Sequence, residues 1–353
     1  MVRTKWLRRA AIGALLVLPI LTAGCGIFSR QTDGAIDPPQ NGSGVTDEGT
    51  KTGQAATSEQ GDGSHLTVYL KDRNGYLAPV ALRTTFGKNE EPGQKALEMM
   101  VNGGAYASQI PEDFSAVLPE GTQVNSFHVD KDSKIATVDF SEPFSGYTAT
   151  EERSIVEAIT WTLTAIQGIE GVEVWSEGEK LTEMPVDSFP LDEPLTRAVG
   201  INLEAADGVN YSDSTPVTLY FSSQTSNDEQ YYVPVTRLIA RPQTTKAQAA
   251  LEQLIAGPLD RKQLSAVITD DVKVTSVQEK DHILTVDLKD DAYERGQAAP
   301  KEMLEALVLS LTETTSADKV QILLNGDSNI VDSEDNSYQE PASRPHHVNA
   351  IKS

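Results

Sequence analysis

The sequence predicts an α+β protein made of two tandem copies of one ββαββαββ domain, each with two helices packed on a mostly antiparallel sheet. Three observations predict it. The chain has 353 residues, too many for one ordinary domain and enough for two. Its segments alternate between strand-like period-two patterning and helical spacing. Most telling, one half repeats the other in order, at an offset of about 150 residues. Leu66-Thr67-Val68-Tyr69-Leu70 returns as Val217-Thr218-Leu219-Tyr220-Phe221, and Thr137-Val138-Asp139-Phe140 as Thr285-Val286-Asp287-Leu288. Gln94-Lys95-Ala96-Leu97-Glu98 returns as Gln248-Ala249-Ala250-Leu251-Glu252. Glu157-Ala158 and Leu163-Thr164 return as Glu305-Ala306 and Leu311-Thr312. Even the tails match: Glu193-Pro194, Arg197 and Asn202 have counterparts in Glu340-Pro341, Arg344 and Asn349.

Each element can be read in the first copy and checked in the second. Residues 66–70 alternate and are rich in β-formers, which predicts a strand. The Asn74-Gly75 turn leads to a second strand over 76–84. Ala96, Leu97, Met100 and Val101 share one helical face, so 93–102 is predicted helical, stopped by Gly103-Gly104. Residues 124–129 and 135–140 form a hairpin around 130–134. Ile155, Ile159, Leu163 and Ile166 place an amphipathic helix over 151–166, with Glu151-Glu152 at its positive end. Residues 172–175 and 180–184 close a final hairpin over 176–179.

The N-terminus reads as an export signal. Arg3, Lys5, Arg8 and Arg9 precede an apolar run over 10–23. Those 14 residues are too few to span roughly 30 Å of hydrocarbon as a helix, but have the length of a secretory core. The run ends Leu21-Thr22-Ala23-Gly24-Cys25, small residues before the chain's single cysteine, as in a lipobox. Thr22 stands where a lipobox usually has leucine. Cys25 is thus the predicted lipidation site, and two acyl chains suffice for stable anchoring. With one cysteine there is no intramolecular disulfide and no thiolate metal cluster. Residues 26–65 are polar and Gly-, Ser- and Asp-rich, a composition that cannot offset its ordering entropy. We read 25–65 as a tether holding the folded part off an extracytoplasmic membrane face.

Lys and Arg number 29 against 52 Asp and Glu, a net charge of −23. Loss of the leader's four basic residues takes it to −27. A surface so acidic repels phosphate backbones, which argues against nucleic acid as a partner. Motifs for catalysis are missing: no HExxH, Walker A, GxSxG or CxxC occurs. Asp130, Asp132 and Lys134 are spaced like the start of a calcium loop, but Ile135 stands where glycine is required. Residues 332–340 are acidic, with Ser343 where a bidentate glutamate belongs. Asp139 and Asp287 occupy equivalent positions, either as one carboxylate of an acid–base site per copy or as polar residues capping a loop; the second reading fits better. His346-His347 lack a companion ligand set. No metal, cofactor or catalytic residue is predicted.

Four residues stand out as candidates for partner binding. Arg197 and Arg344 follow Glu-Pro in both copies and could clamp a carboxylate of a partner or of peptidoglycan. The plainer alternative is an internal ion pair with the copy's own glutamate, which ties the tail to the domain. Tyr231 and Tyr232 sit at a strand start, where one of the two should point outward for stacking. Trp161 reads as packing beside the helix face. Trp175, which is Leu323 in the second copy, reads as core.

In its lipobox Cys25, the following Ile36-Asp37-Pro38-Pro39-Gln40 and the paired Thr-Val-Asp and Glu-Ala…Leu-Thr segments, the chain resembles the GerM family. Trp161-Thr162-Leu163-Thr164, Glu183-Met184-Pro185 and Tyr231-Tyr232-Val233-Pro234-Val235-Thr236 add to the resemblance. It implies tandem GerMN domains over 66–202 and 217–349, a linker over 203–216, and a leader over 1–24. It also implies a lipoprotein of endospore formers, linked to sporulation and later germination. The role implied is a non-enzymatic scaffold among protein partners of the envelope complex between mother cell and forespore. The residues themselves leave open a second class, a lipoprotein that binds cell-wall glycan or a solute. They also leave a third, a wall hydrolase working through Asp139 and Asp287.

Overall fold

The computed structural model describes residues 64–351 apart from Asn89, and these lie in one compact unit. The leader, Cys25 and nearly all of the tether fall outside the described residues. Two four-stranded and two three-stranded sheets carry the fold. In the first copy the elements are β1 (Ser64–Asp72), β2 (Leu77–Thr84), α1 (Pro92–Met99), β3 (Phe114–Ser115), β4 (Val124–Asp130), β5 (Ile135–Phe140), α2 (Ala149–Leu163), β6 (Gly171–Ser176) and β7 (Glu179–Lys180). After β8 (Glu204–Ala205) come β9 (Ser214–Gln224), β10 (Gln230–Ala240), α3 (Lys246–Ala256), β11 (Lys273–Lys280), β12 (Ile283–Lys289), α4 (Lys301–Thr314), β13 (Lys319–Leu324) and β14 (Ala342–Ser343).

The two copies use one plan. β1 and β2 form an antiparallel hairpin with Val68 opposite Val80; β9 and β10 form its counterpart with Leu219 opposite Val235. β4 pairs antiparallel with β5, and β11 with β12. Each pair carries a register shift at the same place, between Val124 and Ser126 and between Val274 and Ser276. β5 then runs parallel to β6, and β12 to β13. Parallel neighbours need a long crossover, and α2 and α4 supply it. The hydrogen bonding thus divides each copy's strands between a hairpin sheet and a four-stranded sheet.

The elements differ from expectation where local chemistry competes. α1 stops at Met99 because the Met100 carbonyl accepts from the amides of Val117 and Leu118 instead of continuing the helix. α2 starts two residues early because Thr148 and Glu151 form a reciprocal capping box. The final hairpin is short: β7 covers two residues, and the partner of Val172 is the tail residue Leu195. In the second copy the tail supplies β14 in the same way, with Val320 opposite Ala342. The stretch read as a linker contributes β8, which adds in parallel to β10. Arg237, buried beneath it, binds Glu204 at 2.6 Å and the Gly257 carbonyl at 2.9 Å. That guanidinium joins β8 to the end of α3.

One hydrophobic cluster runs through both copies, from Val68, Leu97 and Val138 to Leu219, Leu251 and Val286. Phe114 of the first copy meets the Tyr231 ring of the second edge-on at 5.2 Å. Trp175 is a correction: it is half-buried, as Leu323 is. Both alternate with the inward-facing Val174 and Ile322 on their strands. Among the described residues no helix is long and apolar enough to cross a membrane.

Candidate partner-binding site

The sequence candidates converge on the seam between the copies. The seam begins with β2 and β10, which carry Pro79 and Pro234 at equivalent places. Each copy's tail ends on an asparagine held at positive φ, Asn202 at 47° and Asn349 at 58°. That is a conformation asparagine tolerates better than most side chains. The Asn202 amide donates to the carbonyls of Leu77 (2.8 Å) and, across the seam, Pro234 (2.7 Å), and its oxygen accepts from Leu77 N–H (2.8 Å). The Asn349 amide donates to Tyr232 (2.7 Å) and, across the seam, Pro79 (2.8 Å), and its oxygen accepts from Tyr232 N–H (2.7 Å). The two clamps mirror each other, giving the seam an internal pseudo-twofold.

Arg197 and Arg344 lie together on that seam. They do not pair with the glutamates of their own Glu-Pro steps. Both meet one oxygen of Glu313, at 2.6 and 3.0 Å. Glu313 belongs to the second copy, so Arg344 forms a pair within its copy and Arg197 forms one across the seam. Arg197 also donates to Thr164 (3.0 Å) and stacks over Trp161 at 4.5 Å. Arg344 donates to the Leu309 carbonyl (3.0 Å) and the Tyr220 hydroxyl, and lies over the Tyr220 ring. Burial pushes the Glu313 carboxyl up, but the two guanidiniums outweigh it, and its pKa falls below the ordinary carboxylate value. Burial raises the Tyr69 and Tyr220 hydroxyls, which therefore stay protonated. A cleft of about 440 Å³ opens above, lined by Tyr69, Thr164, Ala165, Arg197, Arg344 and His346 among others.

The tyrosine pair requires a correction. Tyr231 is not a surface aromatic: it is 1% exposed, and its hydroxyl donates to Asp72 at 2.8 Å across the seam. Burial raises the Asp72 carboxyl despite that bond. Tyr232 points to the other face of β10 and is half-buried, its hydroxyl donating to Glu305 at 2.8 Å. Adjacent strand residues face opposite ways, but here both faces of β10 are covered. Trp161 is fully buried, with its indole N–H on the Gly200 carbonyl at 2.7 Å.

Asp139 and Asp287 cap turns. Each accepts from a glycine amide 39 residues on, Gly178 and Gly326, both at 3.0 Å. Those glycines sit at φ of 82° and 78°. Among the described residues no cluster of three or more His, Cys, Asp or Glu is arranged to hold a metal.

A family model described as "Germane: Sporulation and spore germination" matches residues 67–182 and 218–329, once per copy. The chain belongs to this family. It is 36% identical to the spore germination protein GerM of Bacillus subtilis (strain 168), over 96% of this chain and 97% of that one. It also resembles the solved tandem GerMN domains of the sporulation protein GerM from Bacillus subtilis. That match has a TM-score of 0.74 and 36% identity, and covers 81% of this chain and 99% of that structure. The tandem GerMN architecture is therefore that of this chain as well.

Proposed function

We propose that the chain is a non-enzymatic, lipid-anchored assembly factor of the envelope complex between mother cell and forespore, and that spore germination depends on it through assembly. The observation that carries this reading is the family match in both copies, with a sporulation relative aligned along nearly the whole chain. The structure adds support: the equivalent carboxylates Asp139 and Asp287 are engaged in capping turns. The two copies share one core, which suits a rigid module that presents surfaces to protein partners. Cys25 would fix that module to the outer leaflet of a cell membrane, facing the intermembrane space, with the tether giving reach.

The test is a count of heat-resistant spores after clean deletion in the organism that carries the chain. The expected result is a large drop, restored by the wild-type chain and less well by Cys25→Ala. Normal numbers of normally germinating spores would overturn the reading.

A further inference from the structure

The pseudo-twofold of the seam exposes an imbalance. Trp161-Thr162-Leu163-Thr164-Ala165 aligns with Leu309-Ser310-Leu311-Thr312-Glu313, so the two arginines are equivalent and the carboxylate is not duplicated. Where the second copy has Glu313, the first has Ala165. Two guanidiniums therefore share one carboxylate, and the cluster keeps one positive charge in a chain of net charge −23. The arginine side chains are 26% and 27% exposed, so water screens that charge only in part. The bonds that hold Arg197 use its Nε and Nη1, and those of Arg344 its Nη1 and Nη2. Nη2 of Arg197 and Nε of Arg344 have no hydrogen-bond acceptor among the described residues. Ala165 and both arginines line the same cleft, beside the apolar Pro79 and Val348.

We propose that this cleft binds the carboxylate of a peptide, which takes beside Ala165 the role that Glu313 plays in the second copy. The ligand's charge completes a two-arginine, two-carboxylate cluster, and its small apolar side chain lies against Pro79 and Val348. A guanidinium favours a planar carboxylate over a neutral amide of the same shape. This assignment stands apart from the assembly role, which does not require it.

The probes are N-acetyl-Ala-Ala as its L,L and D,D forms, each with a free C-terminal carboxylate or a C-terminal amide. They are titrated by calorimetry into the full chain purified in detergent. At least one carboxylate should bind, and its amide should bind at least about tenfold more weakly. Preference for the L,L form marks a protein terminus as the source, and for the D,D form a wall peptide. Arg344→Gln should weaken binding by about tenfold or more. Ala165→Glu separates binding from folding: it supplies the carboxylate internally, so it should abolish binding while raising the thermal midpoint. The proposal fails if no carboxylate binds up to about 10 mM, if amide and carboxylate bind alike, or if Ala165→Glu binds as wild type does.

Discussion

At the residue scale, the seam shows why chemistry at single positions is hard to read from a repeat. Arg197 and Arg344 were visible because they recur. Glu313 was not, because its counterpart is Ala165 and a repeat conceals what it does not repeat. Tyr231 looked like a surface aromatic because sequence gives the period of a strand but not whether another strand system covers its outer face. Glu313 allows a sharp test. Removing one partner from a largely buried cluster leaves charges uncompensated, so Glu313→Gln should cost about 2–4 kcal/mol near neutral pH. Its folded pKa lies below the unfolded value of 4.5. The stabilisation is therefore fully present above 4.5 and is lost as pH falls through the folded pKa. Urea midpoints of wild type and Glu313→Gln should differ at pH 7 and converge in acid. A gap unchanged at acid pH would show that the carboxylate's charge is not what stabilises the cluster.

At the element scale the sequence was more legible. The first two hairpins of each copy and both long helices lie close to where alternation and helical spacing put them, because those patterns record which face is buried. What the patterns hid is how helix and sheet are joined. Thr162 and Ser310 sit on the buried faces of α2 and α4, where an apolar residue would be expected. Their hydroxyls accept from the N–H groups of Tyr69 on β1 and Tyr220 on β9, at 2.9 Å in both copies. Each hydroxyl thus satisfies a strand amide that is sealed from water by the helix above it. Thr162→Val keeps shape and adds apolar surface, yet should destabilise by about 1–3 kcal/mol, since the Tyr69 amide is left buried and unpaired. Ser310→Ala should cost a similar amount through Tyr220. Amide hydrogen exchange at Tyr69 should speed up in Thr162→Val; a variant as stable and as protected as wild type would remove the hydroxyl from the account.

At the scale of the whole molecule, the duplication announced two domains, and the structure packs the two into one compact unit. The tail of each copy clamps the other's hairpin through Asn202 and Asn349, β8 extends the second copy's sheet, and the core is continuous. Sequence could show that the tails match, but not that the matched asparagines reach across to Pro234 and Pro79. These links predict that the copies unfold together. A chain begun at Cys25 offers a built-in reporter, because both of its tryptophans, Trp161 and Trp175, belong to the first copy. Tryptophan fluorescence therefore follows the first copy, while far-ultraviolet circular dichroism follows both. Asn349→Ala removes three side-chain hydrogen bonds at the end of the second copy, from Tyr232, to Tyr232 and to Pro79. It should cost about 2–3 kcal/mol, a fall of roughly 3–5 °C in Tm for a unit of this size. The fluorescence transition should fall by the same amount as the dichroism transition, although the hydrogen-bond partners of the Asn349 side chain are Tyr232 and Pro79 and neither is a tryptophan. A fluorescence midpoint that stays in place while the dichroism curve splits would mean that the seam is a contact between two independently stable domains, and the single cooperative unit would have to be abandoned.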